Sequence, residues 1–278
     1  MKRVLLLMVW LAFLSIASAE EKPAAFSKSL ERHSWELGPE IYYFKYEEPG
    51  YMKDTGIFYG VSGAYTYRPW VPAFPEDKPA IKWIFRAEAG LSMGNVDYDG
   101  AIQNFETSET TPYNCDNIRD YLTELRLLLG VDFPKETFVD TIYAGIGQRY
   151  LEDNGSSDPY GYDRASRYRY VPVGVKTVRR ITGNWLLAAT AEYDLLLDGR
   201  QTTDLREFGL WTFKNRQNGG YGMRGSVRLE KKGKAADFII EPFIRYWDID
   251  KSEVDEATGG YEPKNKTTEY GINLIWRF

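Results

Sequence analysis

Apolar and polar residues alternate with a period of two along most of the chain, and that pattern constrains it to strands rather than helices. In 81–93, Ile81, Trp83, Phe85, Ala87, Ala89, Leu91 and Met93 share one face. Lys82, Arg86, Glu88, Gly90 and Ser92 share the other, with Ile84 among them. The stretch 121–133 sets Tyr121, Leu125, Leu127, Leu129, Val131 and Phe133 against Glu124, Arg126, Gly130 and Asp132. In 185–197, Trp185, Leu187, Ala189, Ala191, Tyr193, Leu195 and Leu197 oppose Thr190, Glu192 and Asp194. At the end, Tyr270, Ile272, Leu274, Trp276 and Phe278 oppose Glu269, Gly271, Asn273 and Arg277.

Noisier alternation at 40–47, 57–67, 139–151, 167–177, 221–230 and 237–249 brings the count to ten candidate strands. The weakest is 167–177, where Arg167, Arg169, Val171 and Val173 share a face. The well-formed stretches suit tilted membrane-crossing strands of ~9–11 residues better than the ~5–6 usual in soluble sheets. Links after even strands (68–80, 134–138, 178–184, 231–236) are shorter than most links after odd strands (48–56, 94–120, 152–166, 198–220, 250–267). Outer-membrane barrels sort their connections this way, with short periplasmic turns and longer external loops. The fold expected is all-β: a transmembrane antiparallel up-and-down barrel of about ten strands, with eight or twelve as alternatives. Twelve would arise if Phe208–Phe213 extended an external hairpin.

The first 19 residues read as a secretory signal peptide: Lys2 and Arg3, an apolar run, then Ala17-Ser18-Ala19. Residues 20–36 form a polar periplasmic lead-in, and 37–278 the barrel. No later stretch approaches ~18 uninterrupted apolar residues, which argues against membrane-spanning helices. The net charge of −5 argues against a strongly basic nucleic-acid binder. One cysteine, Cys115, leaves no intramolecular disulfide. Trp35, Trp70, Trp83, Trp185 and Trp276 sit near periplasmic strand ends, and Tyr46, Tyr59, Tyr150, Tyr168 and Tyr246 toward external ends. Two such belts match the interfacial girdles of membrane barrels.

The closing run Tyr270, Ile272, Leu274, Trp276 and Phe278 resembles the C-terminal signal read by the outer-membrane assembly machinery of Gram-negative bacteria. Three further segments resemble a family of small, functionally uncharacterised outer-membrane barrel proteins. They are Tyr143-Ala-Gly-Ile-Gly-Gln-Arg-Tyr150, Glu241-Pro-Phe-Ile-Arg-Tyr-Trp-Asp248 and Glu262-Pro-Lys-Asn265. The resemblance covers 142–278 and implies fold and outer-membrane location, with no catalytic residue. The partners expected are outer-membrane lipid and lipopolysaccharide, the barrel assembly machinery and periplasmic chaperones, and no nucleic acid.

With apolar faces toward lipid, the other faces line a lumen. Its expected charges are Arg86, Glu88, Glu124, Arg126, Glu192, Asp194, Arg224, Arg228, Glu241, Arg245, Glu269 and Arg277, with Lys45 and Glu230 beside them. Unpaired charges in so narrow an interior are costly, so interlocking ion pairs are expected. The leading expectation is a non-enzymatic barrel, structural or passing a narrow solute or ion stream. Surface recognition through the long loops 94–120 and 198–220 is a second reading, and carboxylate-based catalysis a third. Proteases of the omptin type pair a histidine with external carboxylates, whereas His33, the one histidine, lies on the periplasmic side. Asp97, Asp99, Asp248, Asp250, Glu253, Asp255 and Glu256 crowd the external loops. The Asp248–Asp250 spacing lacks the glycine and terminal glutamate of a calcium loop, so neither a metal nor another cofactor is expected. Gly145-Ile-Gly147 lies within a strand and is read as relief of lumen crowding, not as a nucleotide loop.

Overall fold

The computed structural model describes residues 30–69, 81–103, 109–135, 137–254 and 260–278. The signal peptide and Trp70 lie outside the described residues, as do Asp255 and Glu256. Eleven strands follow one another: β1 (His33–Glu48), β2 (Met52–Tyr67), β3 (Lys82–Gln103), β4 (Thr110–Pro134), β5 (Phe138–Asn154), β6 (Asp163–Thr182), β7 (Trp185–Asp204), β8 (Thr212–Gln217), β9 (Gly220–Lys231), β10 (Asp237–Ile249) and β11 (Asn265–Arg277). Every pairing is antiparallel, β1 closes on β11, and β7 pairs with both β6 and β9. The result is a closed barrel of ten strands. β8 stands outside the ring, paired only with the far end of β7 from Gly199↔Gln217 to Asp204↔Thr212. Closure matters because an open edge would leave backbone donors and acceptors unsatisfied in lipid.

The alternation sorts side chains as a membrane barrel requires. Leu37, Ile41, Val61, Phe85, Leu91, Leu125, Leu127, Leu129, Ile142, Ile146, Val175, Leu195, Ile272 and Leu274 are exposed around the outside. At the end carrying the short turns, Trp35, Trp83 and Trp276 form an outer ring with Tyr65, whose ring centroid is 4.4 Å from that of Trp35. Toward the other end Tyr59, Tyr150, Tyr193 and Tyr270 face outward. Tyr46 and Tyr168, assigned from the sequence to this second girdle, instead point inward at 2% and 3% exposure. They lie where apolar residues have changed face. The chain ends are stitched into the seam: Trp35 N–H donates to Phe278 O at 2.9 Å, and Phe278 N–H to Trp35 O at 2.8 Å.

β1 starts at His33, inside the stretch read from sequence as lead-in. The 94–120 segment, read as a loop, is mostly a hairpin: β3 and β4 pair from Lys82↔Asp132 to Gln103↔Thr110, with one bulge between Val96 and Tyr98. At ~3.4 Å per residue, the 22 residues of β3 are far longer than an apolar band ~25 Å tall. Above Met93 the outward positions turn polar (Asn95, Asp97, Asp99) and the inward ones apolar (Val96, Tyr98). Much of 198–220 is likewise the β7–β8 hairpin. The barrel therefore rises well beyond its apolar belt.

Candidate functional site

The lumen within the belt is filled by charge. Arg86, Glu88, Glu124, Arg126, Glu192, Asp194, Arg224, Arg228, Glu241, Arg245, Glu269 and Arg277 all point into it, as does Glu230. Each of these guanidiniums bridges carboxylates from different strands, and the pairs link into three groups. Arg228 meets Glu241 at 2.9 Å and Glu36 at 3.0 Å. Arg86 meets Glu36 at 2.8 Å and Glu88 at 2.6 Å. Arg126 continues from Glu88 at 2.8 Å to Glu192. Arg224 joins Glu192 at 3.2 Å to Asp194 at 2.8 Å and to Glu124. A second chain runs from Glu40 through Arg245 to Glu269 and Arg149. Arg277 closes the short-turn end against Glu230 and Asp237.

Planar, multidentate arginine suits this role, because one group can hold two acceptors in fixed geometry. Tyrosines complete the net: Tyr170 donates to Glu124 at 2.6 Å and Tyr143 to Glu192 at 2.8 Å. Their rings need glycines beside them. A Cβ at Gly147 would lie 2.3 Å from the Tyr170 ring, and one at Gly174 would lie 2.4 Å from Tyr143 Oη. Glu36, Glu40 and Arg149 belong to the network although the sequence reading assigned them no part in it. Lys45 does not belong to it. It faces outward between inward Phe44 and Tyr46, paired with Glu47.

Above most of the charges, and level with Glu269, which is register-paired with Phe44, apolar and aromatic side chains fill the lumen. One cluster joins Tyr42, Phe44, Tyr46, Phe58, Val96, Ile118, Leu122, Leu151 and Phe243. A second joins Tyr168, Tyr170, Trp247 and Ile249. Phe44, Phe58, Tyr170 and Ile249 are 0% exposed and Trp247 1%. A cavity of about 240 Å³ lies among the charges, lined from Leu30 and Arg68 at the short-turn end up to Phe243 and Arg245. It stops beneath the aromatic layer. Above that layer a void of about 10 Å³ is bounded by Asp54, Asp120, Asp153 and Arg164.

His33 is the first residue of β1, its Nδ1 2.7 Å from Tyr65 Oη and its ring stacked 5.0 Å from that of Tyr67. That is the short-turn end, opposite the external carboxylates. Cys115, placed by the sequence in a loop, is on β4; its free thiol donates to Asp158 Oδ2 at 3.2 Å. Among the described residues no group of three or more His, Cys, Asp or Glu is arranged to hold a metal ion.

A closed antiparallel barrel, apolar outside and ion-paired inside, has the architecture of Gram-negative outer-membrane barrels. The outer membrane protease OmpT from Escherichia coli shares this fold, with a TM-score of 0.63 at 11% sequence identity over 95% of this chain and 99% of that one. The Ralstonia pickettii toluene transporter TbuX gives a TM-score of 0.41 at 9% identity, over 92% and 91%. The outer membrane protein OprG from Pseudomonas aeruginosa gives 0.37 at 9%, over 89% and 97%. No protein-family model and no curated protein matches the sequence. What is shared with OmpT is the fold alone.

Proposed function

We propose that the protein is an integral outer-membrane barrel, non-enzymatic and non-conducting, that anchors the surface it raises above the membrane. In this reading the signal peptide 1–19 is removed, the short turns face the periplasm and the long hairpins face outward. The 142–278 resemblance to small uncharacterised outer-membrane barrels belongs to the same proposal. The observation that carries the closed-lumen reading is the burial of Phe44, Phe58, Tyr170 and Trp247 in two aromatic clusters, together with the fully buried Arg149–Glu269 pair at the same height, beyond the end of the charged cavity. A narrow solute stream needs an open path, and the cavity among the charges does not extend past these buried rings.

The non-enzymatic reading is supported by position. His33 sits in the periplasmic aromatic ring, away from the external carboxylates. Surface recognition is favoured by the strand-paired extension of β3–β4 and β7–β8, and by exposed Tyr51, Tyr160, Trp211 and Tyr261 on the long-hairpin side. Tyrosine and tryptophan supply contact area at low entropic cost. The terminal strand Tyr270, Ile272, Leu274, Trp276 and Phe278 serves the assembly machinery and chaperones.

Liposomes carrying the folded protein and loaded with a small sugar test the closed lumen. Release at the rate of protein-free liposomes is expected, and rapid release would sink this reading. Excision of 97–116 is expected to abolish binding to host surfaces while the barrel stays heat-modifiable.

A further inference from the structure

Three arginines lie side by side across three strands at one register position. Arg167 on β6 is directly opposite Arg200 on β7, and Arg200 is directly opposite Arg216 on β8. All three face outward, since their neighbours Ser166, Tyr168, Gln201 and Gln217 are turned inward and buried. Strand spacing of ~4.8 Å makes the row about 10 Å long. Like charges placed directly opposite one another destabilise a sheet, so the row needs an anionic counterpart. Arg169 and Lys214 flank it on the same outer face.

The barrel supplies only part of that counterpart. Asp198 takes Arg200 at 3.2 Å and Arg216 at 2.9 Å. Arg169 donates to neutral Gln148 at 3.3 Å. The Nε of Arg167 has no acceptor among the described residues. Glu152 lies one strand away, and Asp163 and Asp204 share the outer face four residues further along β6 and β7, where Asp163 accepts from Ser156 N–H and Asp204 is held by Arg206. The height of the row is informative. Arg167 is register-paired with Tyr150 of the upper aromatic girdle, and lipid-facing Leu195 and Leu197 end just below Asp198 and Arg200. The row therefore stands where the apolar belt gives way to lipid headgroups.

We propose that Arg167, Arg200 and Arg216 form a binding site for the phosphate groups of a phosphorylated glycolipid of the outer leaflet. The inference rests on the outer-membrane orientation proposed above. Arginine fits the ligand because its fork holds phosphate oxygens two at a time, and because a guanidinium is more weakly hydrated than an ammonium. A ligand spanning the row would neutralise the repulsion that Asp198 answers only in part.

The test uses the mature chain folded in detergent, with heat-modifiable gel mobility as the check on the barrel. Affinity is measured for bis-phosphorylated lipid A, for the same lipid stripped of phosphate, and for inorganic pyrophosphate. The Arg167→Gln/Arg200→Gln/Arg216→Gln variant is expected to bind lipid A at least about tenfold more weakly. Arg119→Gln, outward on β4, is expected to bind normally. Should the triple variant fail to fold, Arg200→Gln alone is expected to lose about threefold. Unchanged binding by the variants, equal binding of the stripped lipid, or equal binding of pyrophosphate overturns the site. Mobility that is not heat-modifiable overturns the membrane reading instead.

Discussion

Glu36 on β1 accepts hydrogen bonds from Arg228 on β9 at 3.0 and 3.2 Å, across the lumen and 192 positions away in sequence. The same carboxylate takes Arg86 of β3, so one acidic side chain ties three strands together. Its loss leaves the buried guanidinium groups of Arg228 and Arg86 with one carboxylate each, Glu241 and Glu88, where each had two, a change bounded by the ~3–5 kcal/mol of a fully broken buried pair. Glu36→Ala is expected to lower the heat-modification midpoint of the refolded barrel markedly. Glu36→Met combined with Arg228→Met and Glu241→Met is expected to recover part of that loss, because it removes Arg228 together with both of its carboxylates and leaves no member of that group unpaired. Midpoints that do not differ between the single and triple variants would contradict a stabilising role for these pairs.

The lengths of β2, β4 and β5 that rise above the belt carry Asp54, Asp120 and Asp153. Burial, with neighbouring carboxylates adding to it, pushes their carboxyls up to about 8, about 9 and about 6. In the fold these groups hold protons that the unfolded chain has already released near pH 3.8. Stability of the raised hairpins is therefore greatest in acid and falls as pH climbs from about 4 toward about 9. Protease cleavage of the β3–β4 hairpin, followed across that range, is expected to accelerate with pH. Asp120→Asn is expected to flatten the profile, and an unchanged slope in that variant would contradict burial of these carboxyls as the cause.

Phe278 is 60% exposed, while its backbone is fully engaged with Trp35. Removal of its ring therefore leaves the folded seam almost intact. Phe278→Ser is expected to refold in detergent with a nearly unchanged heat-modification midpoint, yet to reach the membrane of cells several-fold less well. Equal loss in both measurements would assign the residue to stability rather than to assembly.

The strands legible in sequence are those whose two faces meet contrasting surroundings along most of their length. On β3, β4, β7 and β11 lipid selects apolar residues outside and the ion-paired lumen selects charge inside, so period two stands out. Above Met93 lipid gives way to water, and the apolar residues move to the inner face as Val96, Tyr98 and Ile118. Read with the lower parity, that length looks like loss of pattern, which is why 94–120 passes for a loop and Tyr46 and Tyr168 for girdle residues. The start of β1 is masked by Gly38-Pro39, which interrupts the alternation and hides Glu36 and Glu40. Residue types predict that the lumen charges must pair. Which ones meet is set by closure and stagger of the barrel, and Glu36 with Arg228 leaves no local trace. The arginine row shows only as the irregularity of 167–177, whose outward face passes from lipid at Val173 to headgroup height at Arg167.

The central claim is that two buried aromatic clusters, with the Arg149–Glu269 pair at their height, seal an ion-paired lumen. Planar-bilayer recording of protein shown to be folded by heat-modifiable mobility tests it most directly. No current steps are expected from the natural sequence, and none from Arg86→Glu that still folds. Discrete steps from the natural sequence, changed in size or selectivity by Arg86→Glu, would show that ions pass along the charged wall and would contradict the seal.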